Sequence, residues 1–234
     1  MKDEKKIVED TELFLSKRGL NLSELLITLG KHNSSVLQLD DEHYEKFSDI
    51  YTKIDRKDFC DKDKGKLLEE LTYILFHDGY PGVLECRKNC RTSTNEIDLL
   101  ISWTEKARMA GINNAFQCLG DAFLCECKNY EGKVDVTYVG KFCYLLRVSD
   151  STVGIMVAWE GVTARGAWSD SKGLIKKNVL KDTKYIIVIE KKDLKRIFEK
   201  KTNIFSIIYD KYIALKNEID YDKYIVKHEA EDLL

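Results

Sequence analysis

Apolar residues recur at helical spacing through the first third of the chain, then close up into continuous, strand-like runs. Leu13, Leu15, Leu20, Leu22, Leu25, Leu26, Ile27 and Leu29 return at spacings near three and four, which predicts helix capped by Asn21 or Ser23 and ending near Gly30. Asp40-Asp41-Glu42 opens another helix through Tyr44, Phe47, Ile50, Tyr51 and Ile54. The next runs from Asp61 to about Asp78, with acids at its positive end, and stops at Gly79-Tyr80-Pro81-Gly82. Strands then follow at Val83 to Arg91 and Glu96 to Trp103, joined by the turn Thr92-Ser93-Thr94-Asn95, and a third runs from Phe123 to Asn129. Residues 104–121 read two ways: Glu105 to Ala110 favours helix, while Gly111 and Gly120 oppose it. Val134 to Val148 predicts a helix with Val136, Val139, Phe142, Cys143 and Leu146 on one side. A strand over Ser151 to Trp159, a helix within 162–181, a strand at Tyr185 to Ile189 and a helical tail over 191–234 complete the pattern.

The order is therefore helix, three strands, helix, strand, helix, strand. Tyr185-Ile186-Ile187-Val188-Ile189 lacks polar alternation, as a strand covered on both faces should. The expected fold is α/β, a mixed sheet flanked by helices. We expect three regions: a helical N-terminal lobe over 1–60, a core over 61–200, and a C-terminal helical extension over 201–234.

Composition narrows the class. The 234 residues suffice for one ordinary core with an appendage, and 33% charged against 44% hydrophobic residues fits a folded globular chain. No run nears the ~18 apolar residues of a membrane span. Met1-Lys2-Asp3-Glu4-Lys5-Lys6 lacks the apolar centre of an export signal, so the expected location is the cytoplasm, with no membrane partner. The formal net charge of −2 excludes a wholly basic nucleic-acid binder; any such affinity must come from a local patch. The seven cysteines are an odd count with strand positions, against a disulfide framework. Cys86, Cys90, Cys125 and Cys127 match zinc-ligand spacing poorly, and the cysteines read as small buried hydrophobes.

The chemistry concentrates in Cys125-Glu126-Cys127-Lys128 and in Asp98 of Glu96-Ile97-Asp98-Leu99-Leu100. Alternate strand residues share a face, so Glu126 and Lys128 point together while Cys125 and Cys127 point away. Charges in an apolar strand are costly without partners, and Asp98 on a neighbouring strand would complete a cluster of two acids and one lysine. Such a cluster suits a divalent cation and a phosphodiester. Asp98, Glu126 and the Cys127 carbonyl are candidate ligands of Mg2+ or Mn2+; Lys128 is a candidate to orient water or offset developing charge. Glu96 shares the Asp98 face as a possible auxiliary acid. Arg87, Lys88 and Arg91 form one basic run and Lys172, Lys176 and Lys177 another, both candidate phosphate contacts.

Asp98 followed by Glu126-x-Lys128, after a helix bearing Gly65-x-x-Leu68-Glu69 and closing at Gly79-Tyr80, resembles the PD-(D/E)XK nuclease superfamily, and within it the Mrr-type restriction endonucleases. Val134-Asp135-Val136 entering a helix is similar to that group, as are Gly154-Ile155-Met156-Val157, Gly161-Val162-Thr163 with Ala167, and Ile187-Val188-Ile189 before Lys192-Asp193-Leu194. The resemblance covers roughly residues 63–198. It implies a restriction-endonuclease-like fold, and a magnesium-dependent DNA endonuclease of bacterial restriction or antiphage defence that often acts as a dimer. It also implies a glutamate on the first helix. The leucine-then-glutamate pattern selects Glu69; with Leu67, Leu71, Ile74 and Leu75 on the buried face, Glu70 lies nearer its edge and stays open. Two features depart from the family: the stretch between Asp98 and Glu126 is long, so 104–121 must be an insertion or extended hairpin, and Thr94-Asn95-Glu96-Ile97 precedes the aspartate without the usual glycines. Two rival functions are a structure-specific repair or junction nuclease, and a catalytically silent nucleic-acid-binding or assembly module that offers the N-terminal lobe to a protein partner.

Overall fold

The charged and polar residues that interrupt the apolar runs mark where elements begin. In a computed structural model that describes residues 2–21, 37–56, 61–91, 96–109, 111–129, 131–164 and 170–217, the chain forms two units, Met1–Gln38 and Leu39–Leu234. The smaller contains α1 (Lys2–Ser16), closed by a turn in which Gly19 takes φ 68° and the Leu20 N–H bonds the Leu15 carbonyl at 3.0 Å. The helix expected to end near Gly30, the turn at Thr92 to Asn95 and the tail beyond residue 217 lie outside the described residues.

The larger unit begins with α2 (Asp41–Asp55), where Asp40 caps the first turn by accepting the His43 N–H at 2.8 Å. Phe47, Ile50, Tyr51 and Ile54 are buried on one side, as their spacing predicts. Next, α3 (Asp61–Tyr73) runs into a π turn over Ile74–Asp78, closed by the Gly79 N–H on the Ile74 carbonyl at 2.9 Å. The sheet comprises β1 (Leu84–Arg91), β2 (Glu96–Trp103), β3 (Ala122–Lys128), β4 (Val153–Ala158) and β5 (Tyr185–Ile189), in that spatial order. β1, β2 and β3 are antiparallel neighbours, whereas β3, β4 and β5 run parallel. The sheet is thus mixed, as expected.

The long β2–β3 connection is compact. It holds the short α4 (Glu105–Met109) and a 3-10 segment over Ile112–Leu119, with Gly111 and Gly120 at positive φ as its two hinges. The parallel strands are joined by α5 (Val136–Val148) and α6 (Asp170–Asp182), and α7 (Lys191–Phe198) and α8 (Ile204–Lys216) follow β5.

Helices cover both faces. Leu124, Met156, Ala158 and Ile186 point to one, against Val139, Phe142 and Leu146 of α5 and Ile175 of α6. On the other, Phe76 of the π turn meets Phe123 edge-on, with ring centroids 5.9 Å apart. α5 differs from expectation in one respect. Asp135 caps it by accepting the Thr137 N–H at 2.7 Å, so Val136 becomes the first helical residue and is 44% exposed; Leu145 joins the buried side in its place. On α3 the fully buried residue is Leu68 rather than Leu67. Thr72 joins that stripe because its hydroxyl bonds the Leu68 carbonyl at 2.7 Å, which removes the penalty for burying it. No helix among the described residues is long and apolar enough to cross a membrane.

Candidate active site

The carboxyl end of β3 alternates charge and apolar surface. Glu126 and Lys128 face the α5 side, while Cys125 and Cys127 are buried on the α3 side. The α3 side is fastened twice. The Cys127 thiol lies 3.4 Å from the Thr72 hydroxyl, and the Asn129 amide, one residue past Lys128, donates to the Lys64 carbonyl at 3.0 Å. Both contacts fix the rotation of β3 and hence the direction of Glu126 and Lys128.

β2 meets β3 through Leu99↔Cys125 to Ser102↔Ala122, and the ladder stops before Asp98 would pair with Glu126. On its other flank, β1 pairs through Lys88↔Leu99 and Cys90↔Ile97 but passes over Asn89, the residue opposite Asp98. Asn89 has φ 50°, a left-handed conformation that asparagine tolerates better than most side chains. Both ladders therefore lapse at Asp98. Its carboxylate replaces a missing ladder bond: Oδ2 accepts the Cys127 N–H at 2.7 Å.

The lapse brings the three expected residues together. Lys128 Nζ pairs with Glu126 Oε1 and lies 3.6 Å from Asp98 Oδ2. The three side chains keep between 14% and 20% exposure, dry enough to strengthen their interactions yet reachable by a small ligand. Glu126 is held above the usual carboxylate range, first because burial disfavours its charge and then because Asp98 lies beside it; Lys128 opposes both. Glu126 Oε2 is buried and accepts no hydrogen bond among the described residues.

That orphaned anionic oxygen, next to a second carboxylate, fits a hard divalent cation, which takes oxygen ligands. Among the described residues no group of three His, Cys, Asp or Glu side chains is placed to hold a metal. A cation here would accordingly rest on Asp98, Glu126, the Cys127 carbonyl and water.

The helix acids meet Asp98 across a cavity of about 280 Å³ lined by Lys66, Glu69, Glu70, Lys88, Asn89 and Leu99 as well as Asp98. Glu69 and Glu70 are both exposed and both line it, so the burial pattern does not separate them. Lys88 Nζ sits 3.5 Å from the centre of the Tyr73 ring, a cation–π contact on the same rim. Arg87 is exposed on β1; the side chains of Arg91 and Glu96 lie outside the described residues. Lys172 and Lys176 are half-buried and face a different cavity, while Lys177 is exposed on α6. Sequence reasoning missed Lys66 and Asn89. Lys66 carried a usable signal, since it precedes Glu70 by one helical turn; nothing in a strand pattern marks Asn89.

The raised Glu126 carboxyl has a stability consequence. A carboxyl lifted above its unfolded value contributes stability that is fully present below the unfolded pKa, ~4.3, and is lost as pH rises through the folded value. With chelator present, Glu126→Gln should therefore melt higher than the parent at neutral and alkaline pH, with the gap closing as pH falls toward that unfolded value. A gap that instead widened in acid would contradict the electrostatics described above.

No family model matches the sequence, and no curated protein matches it. Among solved structures, the DNA modification-dependent restriction endonuclease AspBHI is similar over 80% of this chain, at a TM-score of 0.35 and 13% identity. The chain spans 43% of that protein's length. So slight a likeness leaves the functional reading to the site itself.

Proposed function

We propose that this chain is a metal-dependent endonuclease that hydrolyses phosphodiester bonds in DNA, of the PD-(D/E)XK type and Mrr-like. The observation that carries the reading is the meeting of Asp98, Glu126 and Lys128 at a point where both strand ladders of β2 lapse, with Glu126 Oε2 left unsatisfied. The order of α3, β1, β2, β3, α5 and β4, with the acids on β2 and β3, supports it.

In this mechanism Asp98, Glu126 and the Cys127 carbonyl would hold Mg2+ or Mn2+. When bound, the ion supplies Lewis-acid polarisation of the phosphoryl oxygens and a lowered pKa for water. Asp98 has a second task, since it also fixes the Cys127 amide and through it the direction of the carbonyl. Lys128 sits beside both carboxylates, where its ammonium orients the attacking water and offsets charge on the phosphate. Glu69 or Glu70 faces Asp98 across the cavity and would position a further water or ion there. Lys66 and Lys88 supply positive charge on that rim for the strand backbone. Cutting both strands of a duplex requires two such sites, which a homodimer would provide. A restriction or antiphage role in the bacterial cytoplasm follows from the same reading.

The test is cleavage of supercoiled plasmid, linear duplex, single-stranded DNA and RNA, with Mg2+, with Mn2+ and with chelator. DNA cleavage that needs the metal and disappears in Lys128→Ala is the expected result. Cleavage persisting in chelator, or undiminished in Lys128→Ala, would reject it.

A further inference from the structure

A second cavity, of about 300 Å³, opens against β5 (Ile186, Ile187 and Val188), between α6 and α8. The segments after β3 (Lys133), β4 (Val162 and Ala164) and β5 (Glu190 and Lys192) complete its wall. Its charged lining is Lys133, Lys172, Lys176, Lys192 and Lys211 against one carboxylate among the described residues, Glu190. In a chain with a formal net charge of −2, five lysines line one small hollow, where Lys211 is paired with Asp193 and Lys192 lies 3.6 Å from Glu190.

Lys133, Lys172 and Lys211 stand on fixed supports. Val134, next to Lys133, bonds Gly161 and Thr163 through its N–H and carbonyl at 2.9 and 3.0 Å. Ser171, fully buried and next to Lys172, donates to the same Val134 carbonyl at 3.0 Å, and its hydroxyl lies 2.8 Å from that of Thr163. The Lys172 N–H adds a bond to the Thr163 carbonyl at 3.1 Å. Lys211 is buried, pairs with Asp193 and donates to the Val188 carbonyl at 2.6 Å. Such rigid mounting lowers the ordering cost of binding.

Register places this cavity relative to the acids. Glu126 pairs with Met156 and Met156 with Val188, so Val188, on the cavity wall, lies on the same sheet face as Glu126. Two strand spacings separate them, about 10 Å. That equals roughly three nucleotides of rise along a strand. The volume is at the lower end of small-molecule sites, suited to one nucleotide and not to a duplex.

We propose that this cavity binds the phosphate of a single nucleotide unit. The same chemistry is offered by a free nucleotide and by a nucleotide of a bound strand. The site does not depend on the hydrolytic reading, because none of its residues belongs to the Asp98–Glu126–Lys128 cluster.

The test is titration calorimetry on the full chain in chelator, so that metal chemistry plays no part. The probes are a nucleoside diphosphate, inorganic pyrophosphate and a ten-nucleotide single strand. The parent should bind at least one probe. Lys172→Gln with Lys176→Gln should weaken that binding at least tenfold, and Lys172→Arg with Lys176→Arg should retain it. Lys181→Gln, exposed on the same helix but outside the lining, should leave it unchanged. Tighter binding of the free diphosphate assigns a free ligand, and tighter binding of the strand assigns the nucleic acid; both uphold the site. Parent protein that binds no probe, or a double glutamine variant that binds like the parent while still folded by melting, would overturn it. Equal weakening by Lys181→Gln would overturn it too.

Discussion

Asp98→Asn should leave the protein folded and reduce metal-dependent cleavage by about three orders of magnitude, the scale of losing one preorganised electrostatic element. Asparagine keeps an oxygen that can accept the Cys127 N–H, now bonded to Asp98 at 2.7 Å. It removes the charge that, with Glu126, would hold the cation. The substitution therefore separates the two tasks of Asp98. Asp98→Ala loses both: the Cys127 amide gives up its partner, a cost of ~1–3 kcal/mol where the group is buried. Single-turnover cleavage and melting, measured on both variants, should show equal losses of activity but a lower melting temperature for alanine alone. An asparagine variant that cleaves like the parent would remove Asp98 from the chemistry.

Gly154→Val should be the most damaging substitution in the core. Gly154 lies in β4, where every residue is buried, and it pairs with Leu124 on one side and Ile186 on the other. A Cβ built there would sit 2.7 Å from two ring carbons of Phe142 and 2.8 Å from a methyl of Leu146. No flexible side-chain end is available to yield, because both neighbours are themselves fully enclosed. Alanine should cost ~1–3 kcal/mol by overpacking, and valine more, against a total stability of ~5–15 kcal/mol. Urea unfolding should show the midpoint falling from parent to alanine to valine. Phe142→Leu should recover part of the alanine loss, since the shorter side chain vacates the crowded space. A Gly154→Ala protein as stable as its parent would mean that α5 does not rest on β4 this closely.

The strands were legible because they are unbroken apolar runs between turn residues, and Asp98, Glu126 and Lys128 stood out because charges in such runs demand partners. The two helix acids could not be ranked from the pattern. Leu68 and Thr72 carry the buried stripe of α3, and a threonine whose hydroxyl is satisfied by its own helix looks polar in sequence yet packs as core. Val136 illustrates the opposite error. It continues an apolar stripe on paper, but an aspartate cap starts the helix there and leaves it exposed. The lysines of the second cavity were only partly visible. Lys172 and Lys176 belong to an evident basic run, whereas Lys133, Lys192 and Lys211 are scattered along the chain and converge only through the parallel strands and α8.

By itself the sequence determined which segments would be strands and helices, and that two acids and a lysine had to be accommodated in the sheet, since periodicity and the cost of burying charge act locally along the chain. Strand order, the lapse of both ladders at Asp98 and the gathering of five lysines in one cavity beside β5 were decided by tertiary structure. Those depend on which distant segments lie side by side, and no local spacing records that choice.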